Sequence, residues 1–127
     1  MGAPETATDR KLHQFTHPDI MEICQLVMGY SVFHGGSARN TMPAHVHGRR
    51  IEACLYFDLA VDNRVLHVMG EPIATRCIVM KNRDAVISRP WSIHCGCDTD
   101  GYTFCWAMGG DNVDYRDVDM VAITELR

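Results

Sequence analysis

Short apolar runs separated by turn residues are the feature that most constrains how this 127-residue chain folds. Val, Ile, Tyr and Phe are concentrated in short segments, and Gly, Pro, Asn or Asp stand between these segments. No stretch keeps a 3.6-residue apolar period over three turns, as an amphipathic helix would. The pattern therefore predicts an all-β fold, either an antiparallel sandwich or a barrel.

Individual strands can be placed from these runs. Asp62-Asn63 predicts a hairpin turn, Glu71-Pro72 predicts a second turn, and 95–101 predicts a loop. A short strand or turn is expected near 118–123. The predicted strands lie at about 40–46, 50–58, 64–70, 74–80, 85–88, 91–94 and 102–108.

The start of the chain differs from the rest in composition. Residues 1–18 are polar and contain two prolines, which predicts a loose N-terminal arm. Residues 19–127 then form one domain, a size that can bury a single core without disulfides or metals to staple it.

Composition limits the kinds of binding partner and the cellular compartment that we expect for this protein. The formal net charge is -4 and no basic run appears, which argues against nucleic acid. No apolar run approaches the roughly 20 residues of a membrane span, and the N-terminus lacks a secretory pattern. We therefore expect a cytoplasmic protein whose six cysteines are reduced thiols.

Three histidines and one glutamate predict a metal site. His45 and His47 alternate on a predicted strand, so their side chains point to the same face. Glu52 has the opposite parity and can join them only if the chain bends, for which 48–50 offers a place. Past that bend Glu52 is expected to share a face with the residues two and four positions later. His94 would arrive from a later strand, and this ligand set suits zinc, iron, manganese or nickel.

The same region also contains residues that could form a different metal site. His94 is followed by Cys95 and Cys97, and a Cys-x-Cys pair beside a histidine could also bind zinc. No second cysteine pair stands at the spacing of a zinc finger.

Long motifs give the chain a family resemblance. The H-x-H-x(4)-E spacing and a later proline shortly before the third histidine resemble the cupin signature. From about residue 11 to 127 the chain resembles the C-terminal half of the 5-keto-4-deoxyuronate isomerase family, also called 4-deoxy-L-threo-5-hexosulose-uronate ketol-isomerases. The segments that carry this resemblance are TMPAHVHGRRIEACLYF, VMGEP with TRCIVMKN, AVISRPWSIHCG and YTFCWAMGGDN.

The resemblance implies a fold, a metal and a reaction. Residues 19–127 would form a single-domain cupin, a double-stranded β-helix or jelly-roll barrel, with zinc held by His45, His47, Glu52 and His94. The family interconverts 5-keto-4-deoxyuronate and 2,5-diketo-3-deoxygluconate in the breakdown of pectin, and its members are oligomeric. The expected partners are therefore a small-molecule sugar acid and further copies of the chain. Gly48 stands where the family motif usually carries a glutamate.

The sequence gives weaker evidence for catalytic residues than for metal ligands. Tyr56 shares parity with Glu52, which makes it a candidate proton-transfer base alongside His67 and Tyr102. Arg49 and Arg50 are candidates to hold a substrate carboxylate through a bidentate fork. Two alternative functions stay open at this point: a non-catalytic cupin that binds a sugar acid, and a cupin metalloenzyme such as an oxygenase.

Overall fold

The computed structural model describes residues 2–111 and 117–127, and its regular secondary structure is mainly β-strand. Two single-turn 3₁₀ helices, Pro4–Thr6 and Ile123–Glu125, lie near the chain ends. The predicted all-β fold is confirmed. The ten strands are β1 Arg10–Thr16, β2 Leu26–Phe33, β3 Arg39–His47, β4 Arg50–Phe57, β5 Val65–Glu71, β6 Ala74–Met80, β7 Ala85–Ser88, β8 Ile93–Asp98, β9 Thr103–Gly110 and β10 Val118–Met120.

The strands form two five-stranded antiparallel sheets. The first sheet has the order β1-β2-β9-β4-β7, and the second has the order β10-β3-β8-β5-β6. From β2 onward, nearly every connection carries the chain from one sheet to the other. Among these later connections, only the one from β5 to β6 stays within a sheet. It is a hairpin whose register leaves two residues in its turn. This winding is that of a double-stranded β-helix.

Side chains on the inner faces of both sheets form the main core. Along β4, buried and exposed residues alternate strictly, as expected for a strand with one face against a core and the other outside. The rings of Tyr56 and Phe104 are stacked 5.9 Å apart, and Phe33 stacks on Tyr102 at 4.8 Å. This apolar packing fills one part of the space between the sheets and leaves the remaining part for a cavity.

The outer faces of the two sheets differ. On the second sheet, Ala44, Ile93 and Cys95 form a small buried cluster that is covered by Val121 and Leu126 from the C-terminal segment. The first sheet has no such cover among the described residues. Its outward positions on β2, β9, β4 and β7 carry no charged side chain, and Leu26, Ile51, Leu55 and Ile87 are each at least 41% exposed.

Three local predictions differ from the structure. Arg10–Thr16 is not part of a loose arm, because it pairs with β2 as an edge strand. This strand was not predicted because its residues are mostly polar. An edge strand needs fewer apolar contacts than a central strand, so its sequence lacks the usual apolar pattern. Asp62-Asn63 does not close a hairpin: it links β4 to β5 in the other sheet, where Asn63 donates to the carbonyl of Gly101 at 2.8 Å. The assignment of 19–127 as the domain stays a prediction.

The third difference concerns 95–101, which was predicted as a loop. Its first four residues continue β8 to Asp98. They are paired on both sides, with β3 and with β5, so the backbone hydrogen bonds of a central strand outweigh the turn preference of Gly96 and Asp98.

Gly29 on β2 provides a test of packing around the cavity. A β-carbon at Gly29 would overlap the carbonyl oxygen of His13 and lie 2.5 Å from Cζ2 of Trp106. We expect Gly29→Ala to lower the free energy of unfolding by about 1–3 kcal/mol, as overpacking does. Urea denaturation followed by circular dichroism measures this. Gly35→Ala is the matched control, because a β-carbon there meets nothing within 4 Å; equal stability of the two variants would contradict the packing argument.

Candidate metal centre

Four side chains from three strands converge between the two sheets. His45 and His47 come from β3, His94 from β8 and Glu52 from β4. Their potential ligand atoms all lie within 4.8 Å of one another. The pairing of β3 with β8 sets His45 directly opposite His94. These are the four residues that the sequence predicted as ligands.

The bend that brings Glu52 to the histidines lies at 48–49. There the chain leaves β3 in the second sheet and enters β4 in the first, so Glu52 faces the histidines across the interior. Cys54 and Tyr56 share its inward face, as predicted. Gly48 itself is exposed, has no left-handed φ, and would meet nothing within 4 Å if it carried a β-carbon. The bend therefore does not require glycine.

The Glu52 carboxylate lies between two imidazoles. Its Oε2 is 3.0 Å from Nε2 of His47 and 3.0 Å from Nε2 of His94. Its Oε1 accepts a hydrogen bond from the Cys54 thiol at 3.3 Å. Burial alone would raise the pKa of Glu52, but the short contacts and positive charge of His47 and His94 outweigh burial and hold its pKa well below the usual range. Glu52 is therefore ionised at neutral pH.

The histidines respond differently to the same surroundings. Burial, together with the neighbouring His94 and His47, lowers the pKa of His45 to about 4, so His45 is neutral and its lone pair is available. Burial also opposes the charged form of His94, but the Glu52 carboxylate outweighs it and raises the pKa of His94 above its ordinary value of 6.5. The Glu52 carboxylate therefore favours the protonated form of His94.

Asp117 fixes the orientation of His47. Nδ1 of His47 donates to the backbone carbonyl of Asp117 at 3.3 Å, which leaves Nε2 to face Glu52. Arg50 holds the Asp117 carboxylate through two hydrogen bonds, from Nε at 3.2 Å and from Nη2. Asp117 directly precedes β10, and β10 pairs with β3 so that Val118 lies opposite His47. Sequence reasoning missed Asp117, since nothing in its local sequence marks this contact.

The donor set fits a divalent metal ion. Three imidazole nitrogens and one carboxylate oxygen are the ligands that zinc and neighbouring transition metals accept. All four side chains are at most 9% exposed. Both ring nitrogens of His94 are buried without a well-aligned hydrogen bond, although Nε2 is close to Glu52. A buried nitrogen with no aligned partner is costly, and a bound cation would satisfy Nε2.

A cavity of about 400 Å³ reaches this centre. His45, His47 and Glu52 form part of its wall, while Phe104 and Trp106 form an apolar part. A small molecule can therefore reach the ligand cluster, as a catalytic or binding metal requires and a closed structural site does not.

The other predicted catalytic residues do not line this cavity. Tyr56 is 1% exposed, and its hydroxyl donates to Nδ1 of His67 at 2.7 Å. Burial raises the pKa of Tyr56 far above its ordinary value, which disfavours a phenolate base. Arg50 is committed to Asp117, and Arg49 is exposed at the bend. Catalytic roles for Tyr56, Arg49 and Arg50 stay predictions that this geometry does not strengthen.

The rival site at His94, Cys95 and Cys97 is not formed. His94 points into the interior, whereas Cys95 belongs to the cluster on the outer face of the second sheet. Adjacent residues of a strand point to opposite faces, so neither Cys95 nor Cys97 can join His94 at one ion. The metal-ligating cluster found among the described residues contains no cysteine.

Comparisons with known proteins agree with this arrangement. The chain is 66% identical over all its 127 residues to a 4-deoxy-L-threo-5-hexosulose-uronate ketol-isomerase of Cereibacter sphaeroides, covering 46% of that protein. It is 55% identical over 127 residues to one of Rhizobium meliloti, covering 45%. The chain thus spans about half the length of the curated relatives it matches.

Solved structures support the fold. A double-stranded β-helix protein of Klebsiella pneumoniae aligns with a TM-score of 0.57 and 13% identity, over 90% of this chain and 92% of its own. A protein of Ralstonia eutropha described as a putative mannose-6-phosphate isomerase aligns with a TM-score of 0.54 and 12% identity, over 87% and 98%. The cupin fold is thereby confirmed.

Within the described residues, no helix is long and apolar enough to span a membrane.

The model of the KduI/IolB family matches residues 1–124, a span that contains all four clustered side chains and the strands that position them. Together with the similarity of all 127 residues to part of named ketol-isomerases, this match shows that the chain belongs to the KduI/IolB family.

Proposed function

We propose that this chain carries the metal centre of a ketol-isomerase that interconverts 5-keto-4-deoxyuronate and 2,5-diketo-3-deoxygluconate, in the use of pectin and related uronates. The observation that carries the proposal is the convergence of His45, His47, Glu52 and His94 at the wall of an open cavity. The names of the relatives supply the substrate.

The reaction moves a proton between adjacent carbons through an enediol. His45, His47, Glu52 and His94 would hold the metal, and we propose zinc as the resident ion. When bound, zinc supplies a Lewis acid that polarises the substrate carbonyl and stabilises negative charge on its oxygen.

The remaining groups of the site would prepare the ligands. The Arg50–Asp117 pair would keep the His47 ring oriented during turnover. Cys54 donates to the distal oxygen of Glu52, which leaves the other oxygen facing the histidines. Phe104 and Trp106 exclude water from one side of the cavity and so strengthen the electrostatic interactions there.

Removing one ligand tests the metal centre. We expect the purified protein to contain about one zinc per chain, and His94→Ala to weaken zinc binding by at least about 100-fold, since even residues that only orient ligands cost 10–100-fold. The same variant should abolish isomerisation of the product of unsaturated-uronate breakdown. Elemental analysis and a coupled turnover assay measure the two effects. His34→Ala is the matched control, because His34 is exposed and pairs with Asp9 outside the cluster.

Metal analysis and the turnover assay also distinguish the isomerase from the two alternative functions. Zinc with retained sugar-acid binding and no turnover would replace the isomerase by a non-catalytic binding protein. Stoichiometric iron with oxygen uptake would replace it by an oxygenase. Gly48→Glu, which restores the family's glutamate at an exposed position, should leave zinc content unchanged.

Zinc affinity should depend on pH. Zinc competes with the proton on His94, and the pKa of His94 is raised above 6.5. Below that raised pKa we expect affinity to fall about tenfold per pH unit, with a steeper fall near pH 4, where His45 also takes up a proton. Above it, affinity should level off. Competition with a chromophoric chelator between pH 4 and 9 measures the profile.

Glu52→Gln provides the comparison for this profile. Without the carboxylate that raises the pKa of His94, the onset of the loss should move to lower pH, although overall affinity is weaker. Zinc affinity that is constant from pH 8 to pH 5 in the unmodified protein would contradict the assignment of His94 as a ligand.

We also propose that the protein is a homo-oligomer that buries the outer face of the first sheet against a second copy. Leu26, Ile51, Leu55 and Ile87 lie exposed on a face without charges, while part of the outer face of the second sheet is covered by the C-terminal segment. Contiguous apolar surface of this kind marks interaction sites. A face without charges can pack against the same face of a second copy without opposing like charges, as a two-fold interface requires.

Charge placed on this face tests the oligomer. Leu55→Glu combined with Ile87→Glu should convert the oligomer to monomer, because a buried unpaired carboxylate is costly. Sedimentation velocity measures the change, and Val61→Glu is the control, since Val61 is 92% exposed in a loop away from this face. A monomeric unmodified protein, or an oligomer that tolerates both charges, would overturn the proposal.

A further inference from the structure

The cavity has a second polar region that none of the roles above uses. Arg10 from β1, Ser31 from β2, and Asn40 and Thr41 from the start of β3 line the same cavity as the metal cluster. Arg10 is the only arginine or lysine among the described residues that line it. The sequence predicted Arg49 and Arg50 as carboxylate-binding groups, but neither of them lines the cavity.

Arg10 is held in place by its surroundings. Its Nη1 donates to the carbonyl of Thr8 at 3.3 Å, and its guanidinium lies 5.6 Å from the centre of the Phe33 ring. The side chain is half-buried. A guanidinium presents a planar fork of donors whose geometry matches a carboxylate, and fixing it in advance lowers the entropy cost of binding.

Two neutral polar groups face the same space. Asn40 is 3% exposed and Ser31 is 2% exposed. Neither side chain makes a hydrogen bond to another described residue, although most buried polar groups in proteins have a partner. Both line the cavity, so their donors and acceptors are available to a bound molecule that carries oxygen atoms.

The backbone is distorted where Asn40 and Thr41 meet the cavity. Asn40 pairs with Gly96 and His45 pairs with His94, so 41–44 on β3 lie opposite Cys95 alone on β8. Thr41 has a φ of +48°, a left-handed conformation that is rare for a β-branched residue. Such strain is concentrated at functional sites in proteins.

This bulge also sets the spacing between the two polar regions. Because Asn40 and His45 lie opposite positions only two residues apart on β8, they are separated by about 7 Å along the sheet. That separation is comparable with the length of a six-carbon sugar acid. One such molecule that contacts His45 can therefore also reach Asn40.

We propose that Arg10, Ser31, Asn40 and Thr41 form a carboxylate subsite, in which Arg10 binds the carboxylate of a uronic acid and the three neutral residues bind its neighbouring oxygens. The carbonyl end of the same molecule then faces His45, His47 and Glu52. This inference rests on the proposed function for the identity of the ligand, and it adds the residues that select an acid over a neutral sugar.

The test compares an acidic and a neutral sugar on the zinc-loaded full chain. D-galacturonate and D-galactose are titrated by calorimetry. We expect at least about tenfold tighter binding of galacturonate, the scale of one charge-assisted hydrogen-bonded pair. Arg10→Gln should reduce the preference to below about threefold with zinc content unchanged. Asn40→Asp, which places a like charge beside the carboxylate, should do the same through an independent residue.

Arg39→Gln is the matched control. Arg39 also donates to a carbonyl of the N-terminal segment, that of Thr6 at 3.4 Å, but it is exposed and does not line the cavity. It should keep the full preference for galacturonate. The subsite is overturned if the unmodified protein shows no preference, or if Arg10→Gln and Asn40→Asp both retain it.

Failure of this inference can be told apart from failure of the proposed function. Arg10-dependent binding of galacturonate without isomerisation would leave the subsite standing and remove the isomerase. Isomerisation whose KM is unchanged by Arg10→Gln would remove the subsite and leave the isomerase. Raised KM with nearly unchanged kcat and zinc content supports both.

Discussion

The buried carboxylate of Glu52 is the interaction on which the rest of the site depends. An ionised carboxylate at 5% exposure is costly unless it is paired, and its partners His47 and His94 come from the opposite sheet. The contact therefore exists only when the two sheets face each other in one register. This constraint links the metal centre to the fold, because the bend at 48–49 and the β3–β8 pairing must both be formed before Glu52 is satisfied.

One face of β4 shows how the interior is divided. Its buried residues are, in order, Arg50, Glu52, Cys54 and Tyr56. Arg50 supports His47 through Asp117, Glu52 contacts two of the clustered histidines directly, and Cys54 belongs to the apolar core while donating to Glu52. Tyr56 lies fully within that core. A single strand thus contributes Glu52 to the wall of the cavity and Cys54 and Tyr56 to the core.

The sequence predicted those parts of the fold and site that depend on local pattern. Alternation identified the inward face of β4 and the common face of His45 and His47, because both follow from the period of a strand. Glu52 and His94 were predicted only with the help of the bend after His47 and of the family resemblance. Asp117 was missed because its contact with His47, 70 residues away in sequence, arises from the pairing of β10 with β3. Arg50 was predicted to bind a substrate carboxylate. In the structure its guanidinium donates to the carboxylate of Asp117, a partner that only the tertiary structure brings near.

Gly48 shows why a departure from a family motif must be weighed by position. It lies one residue from His47 and four from Glu52, which suggests a direct part in the site. Yet a β-carbon there would meet nothing within 4 Å, and the backbone conformation does not need glycine. The bend that brings Glu52 to the histidines is therefore formed without any requirement for glycine at residue 48, and the four clustered side chains converge without a glutamate there.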